Sequence, residues 1–261
     1  MRCSARSATE SRSWKPDGYR SIPVPRAGGV LEVRGLRVRY PGGLLALDGV
    51  SLMAHPGDAV AVVGPIGSGK STLLRVVIGL APPQAGTVRF NGETLIGLPP
   101  HQRAARGIAY VGEGAPVLPR LSVRENLGVG SWLRRDRQKS AGDVENILAI
   151  WPELRGQLSR KAGQLSAADR QLLAIARGLL ARPRLLLLDE PFTDLDPDAR
   201  GRMLSVLRAH RAEGLAVVLA EDDLAAARET AERAYGLLAG RLVFVGSTIA
   251  LGQGSVFAGL Y

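Results

Sequence analysis

Apolar and charged residues alternate from Val30 to Tyr40, with Leu31, Val33, Leu36 and Val38 set against Glu32, Arg34, Arg37 and Arg39. A period of two is the signature of a strand with one buried face. Pro41-Gly42-Gly43 turns the chain, Ala46 to Met53 supplies a second strand, and His55-Pro56-Gly57-Asp58 turns it again. Val88 to Phe90, then Asn91-Gly92, then Glu93 to Leu95 have the pattern of a tight hairpin. These segments predict a small antiparallel sheet.

A different pattern runs through the rest of the chain. Ala59 to Val63, Leu185 to Leu188 and Val217 to Ala220 are uninterrupted apolar runs, as expected of strands buried on both faces of a parallel sheet. Helical segments separate them. Leu98 to Arg106 is a short helix, and Ile108 to Val111 is a strand ending at Gly112-Glu113-Gly114. Ser122 and Glu125 have capping-box spacing, opening a helix that runs toward Trp132. Arg134 to Lys139 reads as a polar loop, and Asp143 to Ile150 resumes helical spacing.

Ser166 and Asp169 repeat the cap spacing before a stripe of Leu172, Leu173, Ala176, Leu179 and Leu180, which Pro183 ends. Asp196-Pro197 starts a helix that closes before Gly214. A helix is expected over Leu224 to Arg233, followed by a pair of strands, Tyr235 to Leu238 and Leu242 to Val245. Residues from about 114 to 164 thus form a helical lobe inserted between strands of an α/β core.

Composition bounds the picture. The 261 residues are 46% hydrophobic, enough for a sizeable core. No apolar run reaches the roughly 18 to 20 residues needed to span a bilayer. Residues 1–28 are rich in Ser, Arg and Pro and are expected to be a disordered tail, one folded domain is expected over 29–246, and residues 247–261 are expected to form a second tail. The single cysteine, Cys3, excludes an intramolecular disulfide. Net charge is +10, mostly arginine spread along the chain. No segment interleaves basic and aromatic residues as a nucleic-acid platform does, so no nucleic-acid partner is expected.

Candidate chemistry centres on Gly64-Pro65-Ile66-Gly67-Ser68-Gly69-Lys70-Ser71-Thr72, between the apolar runs Ala59 to Val63 and Leu73 to Ile78. Strand, glycine-rich loop and helix in that order make a phosphate-binding loop: backbone N–H groups turn inward around an oxyanion, and the helix aims its unsatisfied amides at it. Lys70 is placed to reach terminal phosphates and Ser71 to ligate Mg2+. Asp189 and Glu190 follow the buried strand at its carboxyl end. There Asp189 holds Mg2+ through water, and Glu190 orients or deprotonates an attacking water. No Asn-Lys-x-Asp stretch of the guanine-reading type occurs, so ATP is the expected nucleotide, with Tyr40 positioned to stack on adenine. The fold class is α/β: a P-loop NTPase (RecA-like) core with an antiparallel β subdomain and an inserted α-helical subdomain.

With these motifs in place, the sequence resembles the ATP-binding subunits of ABC transporters over nearly all of Val30 to Gly246. Gly64 to Thr72 matches the Walker A loop, Leu185 to Glu190 the Walker B strand with its catalytic glutamate, Tyr40 the adenine-stacking position and Thr193 to Asp196 the D-loop. Leu165 to Asp169 takes the signature position, with Ser166 facing nucleotide. Glu113 stands at the Q-loop, where the resemblance makes it a metal ligand with Ser71 and Asp189. The stretches 97–101, 108–114 and 118–127 resemble the branched-chain amino acid importer subgroup, in which Glu-Gly at the Q-loop is usual.

The resemblance implies ATP and Mg2+ as cofactors and a peripheral place on the cytoplasmic face of the inner membrane. The implied partners are membrane permease subunits and a second ATP-binding subunit, in a homodimer or heterodimer, without direct contact with the transported solute. This sequence departs from the family pattern at several positions. Ala167 and Ala168 replace the signature glycines, Asp222 replaces the switch histidine and Ile66 a polar loop residue. Slow or asymmetric hydrolysis is the expected consequence, with a degenerate regulatory cassette as the second reading and a soluble ATPase acting on nucleic acid or ribosomes as the third.

Overall fold

The structure, a computed structural model, describes residues 30–114, 116–132, 134 and 137–252. The tail expected over residues 1–28, including Cys3, lies outside them, as do 253–261. In chain order the elements are β1 (Leu31–Arg39), β2 (Leu45–Ala54), β3 (Ala59–Val63), α1 (Lys70–Ile78), β4 (Ala85–Phe90), β5 (Glu93–Thr94), α2 (Pro100–Ala105) and β6 (Ile108–Val111). The helices α3 (Val123–Gly130), α4 (Arg137–Ile150) and α5 (Pro152–Arg155) follow. The chain then forms α6 (Ala167–Leu180), β7 (Leu185–Asp189), α7 (Pro197–Ala212), β8 (Ala216–Glu221), α8 (Leu224–Thr230), β9 (Arg233–Leu238) and β10 (Arg241–Ser247).

Two sheets result. The antiparallel one has the order β2-β1-β4-β5, and the hairpin turn between β4 and β5 uses Asn91 and Gly92 at positive φ. That is what the Asn-Gly pair predicts, because both central residues of such a turn must be left-handed. The second sheet runs β10-β9-β3-β8-β7-β6, parallel except where β10 returns antiparallel to β9. Its central strands are covered on both sides. Ala59, Ala61 and Val63 face a core shared with α6, α7 and α8, while Val60 and Val62 face a second core beneath α1 and the antiparallel sheet. Strict alternation between two apolar environments explains why these strands carry no polar residue before Asp189 and Glu221 at their carboxyl ends.

Three local expectations differ from the structure. The polar loop expected over Arg134 to Lys139 is shorter, because α4 already begins at Arg137. Its first turns carry Arg, Gln and Lys, good helix formers without an apolar stripe, so hydrophobic periodicity missed them. The helix expected to reach Arg233 stops at Thr230, and Arg233 instead opens β9 opposite Val60. Arg233 is held there by the Met53 carbonyl and the Asp58 carboxylate, both at 2.9 Å. The boundary drawn after Gly246 falls inside β10. Ser247 pairs with Arg233, the Thr248 hydroxyl donates to the Ala231 carbonyl at 2.7 Å, and Leu251 is buried.

Candidate functional site

Sheet register assembles the site. Val62, Ala220 and Asp189 lie level across β3, β8 and β7, and Val63 is level with Glu221. One step further along, the chain leaves β3 into Gly64, β7 into Glu190 and β8 into Asp222. Segments far apart in sequence therefore meet at one carboxyl-terminal edge, the position where open α/β sheets place their ligands.

The loop from Gly64 to Gly69 is shaped by what it cannot hold. A Cβ on Gly64 would sit 2.2 Å from the Leu237 carbonyl oxygen, and one on Gly69 2.6 Å from that of Ala46. Gly69, at φ 108, caps α1 without a side chain and leaves the helix's first N–H groups open to an anion. Ser68 Oγ is buried with no protein partner, a polar atom aimed into the loop. Lys70, 4% exposed, turns its ammonium back onto the carbonyls of Gly64 (2.8 Å) and Pro65 (3.3 Å). Thr72 is buried and reached by the Tyr40 hydroxyl at 3.2 Å, which sets that ring beside α1. Ile66 is 87% exposed at the loop's tip and contributes no polar group.

Below the loop, Ser71 Oγ donates to Asp189 Oδ1 at 3.0 Å, and the Tyr110 hydroxyl donates to Oδ2 at 3.1 Å. Burial raises the Asp189 carboxyl above the usual range, while these two hydrogen bonds and the Arg75 charge oppose the rise. Glu113 lies exposed on the loop after β6, close enough for its charge to raise both Asp189 and Glu190. Among the described residues no three His, Cys, Asp or Glu side chains converge as a metal cage. A hydroxyl and a single carboxylate beneath an anion-binding loop instead fit Mg2+, which takes most of its ligands from phosphate and water.

Glu190 sits at φ 49, a left-handed conformation rare outside glycine, and is fixed by its N–H to the Ala220 carbonyl at 3.0 Å. Thr193 Oγ1 closes the turn by donating to the Glu190 carbonyl. Burial raises the Glu190 carboxyl first, followed by the charges of Asp222 and Glu113. Glu221, buried at the end of β8 with one oxygen unpartnered, is pushed up to about 8 by burial and by Asp222 and Glu190. The carboxylate at position 222 thus acts on both neighbouring acids.

Ser166 is the N-cap of α6, and among the described residues its hydroxyl meets Asp169 and no residue of the phosphate loop. Its hydroxyl accepts the Asp169 N–H at 3.0 Å and contacts Asp169 Oδ2 at 2.7 Å, capping the helix. Ala167 and Ala168 occupy the first turn of α6, and neither has positive φ. The backbone there accepts alanine without strain, so only the bulk of the methyl groups sets this chain apart from a glycine pair.

Sequence reasoning missed Tyr110, Arg75 and Glu221. Tyr110 looks like any strand aromatic, and its role emerges only from the pairing of β6 with β7. Glu221 sat in plain view beside Asp222, and its place at the end of an otherwise apolar strand was the available signal.

Fold and site together define a phosphate-loop nucleotide-hydrolysing protein. A family model described as ABC transporter matches residues 47–193. The high-affinity branched-chain amino acid transport ATP-binding protein BraG of Pseudomonas aeruginosa is 37% identical over 204 residues, covering 78% of this chain and 87% of its own. A probable branched-chain amino acid transport ATP-binding protein, LivF, of Archaeoglobus fulgidus is 38% identical over 188 residues, covering 72% and 79%. Among solved structures, a dimeric ATP-binding cassette in a post-hydrolysis state with ADP and Pi superposes with a TM-score of 0.74 at 25% identity, over 84% of this chain and 98% of that one. The chain belongs to the ABC transporter family and is one of its ATP-binding, ATP-hydrolysing subunits.

Proposed function

We propose that this chain powers an importer from the cytoplasmic face of the inner membrane, hydrolysing MgATP while permease subunits carry a branched-chain amino acid or a related polar solute. The observation that carries the reading is the Ser71–Asp189 hydrogen bond of 3.0 Å beneath the phosphate loop, with Glu190 next in the chain. Lys70 and the loop amides from Gly64 to Thr72 hold the phosphates, and Tyr40 stacks on adenine. Ser71, Asp189 and Glu113 hold the cation, Asp189 through water. Mg2+ neutralises phosphate charge when bound, and Glu190 orients the attacking water. The cargo assignment rests on likeness to BraG and LivF.

A cleft of about 610 Å3 lies between α2–β6 and α3–α6, lined by Pro100, Ala104, Ile108, Val129, Ala174 and Arg177 among others. It is our candidate for the permease contact. No helix among the described residues is long and apolar enough to cross a membrane, which suits a peripheral subunit. A second ATP-binding subunit completes the assembly, its nucleotide facing Ser166 of this chain. Turnover of the purified chain against Glu190→Gln tests the catalytic assignment: brisk, unimpaired hydrolysis after the substitution overturns it. Co-purification with membrane permeases tests the transport assignment.

Specific observations favour a slower variant of this function. Ser166 spends its hydroxyl on its own helix cap, two methyl groups stand at the signature turn, and Asp222 adds negative charge beside Glu190. In this reading the chain binds ATP with little hydrolysis and serves as a regulatory partner to a second cassette. Single-turnover hydrolysis separates the two readings.

A further inference from the structure

Both oxygens of the Asp189 carboxylate are spoken for, each by one hydroxyl. Ser71, from the phosphate loop's own helix, takes Oδ1, and Tyr110, from the neighbouring strand β6, takes Oδ2. The two come from different elements on one face of the sheet: α1 lies over that face, and β6 lies beside β7 in register, with Tyr110 level with Leu187 and packed against the core beneath α1. A carboxylate free to turn about its Cβ–Cγ bond would present either oxygen to the cation. With Oδ2 tied to Tyr110, Oδ1 is the oxygen presented to Ser71 and to the space under the loop.

The ring of Tyr110 is itself fixed. It lies against the backbone of Gly112, where an added Cβ would meet Cε1 and the hydroxyl oxygen at 3.1 Å. Arg75 of α1 interacts with the hydroxyls of both Tyr110 and Tyr40 and with the Asp189 charge, so the cluster includes a cation. A phenolic hydroxyl carries its proton at neutral pH, and here it donates that proton to Asp189 Oδ2 at 3.1 Å.

We propose that Tyr110 is a positioning residue for the metal-binding carboxylate: by donating to Asp189 Oδ2 it orients Oδ1 toward Ser71 and the Mg2+ of bound ATP. The proposal rests on the assignment of Ser71, Glu113 and, through water, Asp189 as the groups that hold the cation. Partners that orient a metal-binding group typically change metal affinity by about 10- to 100-fold when removed. Because Tyr110 makes one of the two hydrogen bonds seen here, its loss is expected near the lower figure.

The test uses the full chain carrying Glu190→Gln, so that nucleotide stays intact. A fluorescent ATP analogue is titrated with and without Mn2+, and the ratio of the two affinities measures metal coupling. The Mn2+ spin-resonance spectrum of the complex reports on the ligand environment. Tyr110→Phe removes one oxygen and keeps the ring. It is expected to leave metal-free nucleotide affinity unchanged, lower the coupling about tenfold and alter the Mn2+ spectrum. Asp189→Asn, in parallel, is expected to lower the coupling further. Wild-type coupling in Tyr110→Phe together with collapsed coupling in Asp189→Asn overturns the role of Tyr110 alone. Wild-type coupling in both removes the metal assignment, and the proposal with it. If Tyr110→Phe lowers metal-free affinity to the same extent as metal-bound affinity, Tyr110 only shapes the loop, and the proposal fails.

Discussion

Replacing Ala167 and Ala168 together by glycine separates stability from catalysis at the signature turn. Both alanines lie in the first turn of α6 with ordinary helical φ, so glycine gains nothing there from its access to positive φ. It loses backbone entropy on folding, by about 1 kcal/mol per residue in a helix interior and less in a first turn, giving roughly 1–2 kcal/mol for the pair. For a domain of this size, melting should fall by about 2–8 °C. Hydrolysis should move the other way. Removing two methyl groups lets the amino end of α6, with its dipole and the Ser166 cap, approach the partner's phosphate. A helix end near an anion contributes about 0.3–2 kcal/mol, which corresponds to roughly 2- to 30-fold in rate. Thermal melts and steady-state ATPase assays at saturating MgATP, at protein concentrations that permit self-association, read both effects. A lower melting temperature with unchanged turnover would refute the idea that the methyl groups limit catalysis.

Within the phosphate loop, Gly67→Ala meets nothing within 4 Å and bears only the strain of φ 81, about 1–3 kcal/mol, whereas Gly69→Ala also brings its Cβ to 2.6 Å from the Ala46 carbonyl oxygen. Melting should therefore drop further for Gly69→Ala, and the opposite order would contradict this loop geometry. Lys70→Ala should abolish ATP binding while leaving the fold intact, measured by calorimetric titration; retained affinity counts against the phosphate-loop assignment. Glu221, with a folded pKa of about 8 against an ordinary value of 4.5, keeps its proton in the native state at neutral pH while the unfolded chain has lost it. Its contribution to stability is full below the ordinary value and is lost as pH rises toward 8. Glu221→Gln should accordingly melt higher than wild type at pH 7–8 and converge with it near pH 4, and parallel melting curves across that range would exclude a buried, protonated Glu221.

The strands were legible because burial leaves a strong mark on them. Ala59 to Val63 and Leu185 to Leu188 are apolar at every position, and the structure buries all of them. The turn at Asn91-Gly92 was equally plain, since positive φ at two successive residues restricts composition. The start of α4 was not, because Arg137-Gln138-Lys139 carries no apolar residue for a helical period to register. Within the site, residues tied to backbone geometry stood out, while those that meet through strand pairing did not. Tyr110 and Asp189 are brought together by the register of β6 on β7, which no local pattern encodes.

The same register explains the electrostatic character of the edge. Asp189 is level with Ala220, the residue before Glu221 and Asp222, so four carboxyl groups gather at the carboxyl-terminal edge of β7 and β8. Asp189, Glu190 and Glu221 are all raised, and burial is the largest cause in each case. Lys70 lowers Glu190, Arg75 lowers Asp189 and Arg200 lowers Glu221, but none of these reverses the rise. An edge of this kind resists the charge of a bare triphosphate and favours its complex with a divalent cation. Asp222 deepens that bias. A neutral residue at 222 would leave Glu190 freer to ionise, so this single departure acts on the site through charge and needs no change of shape.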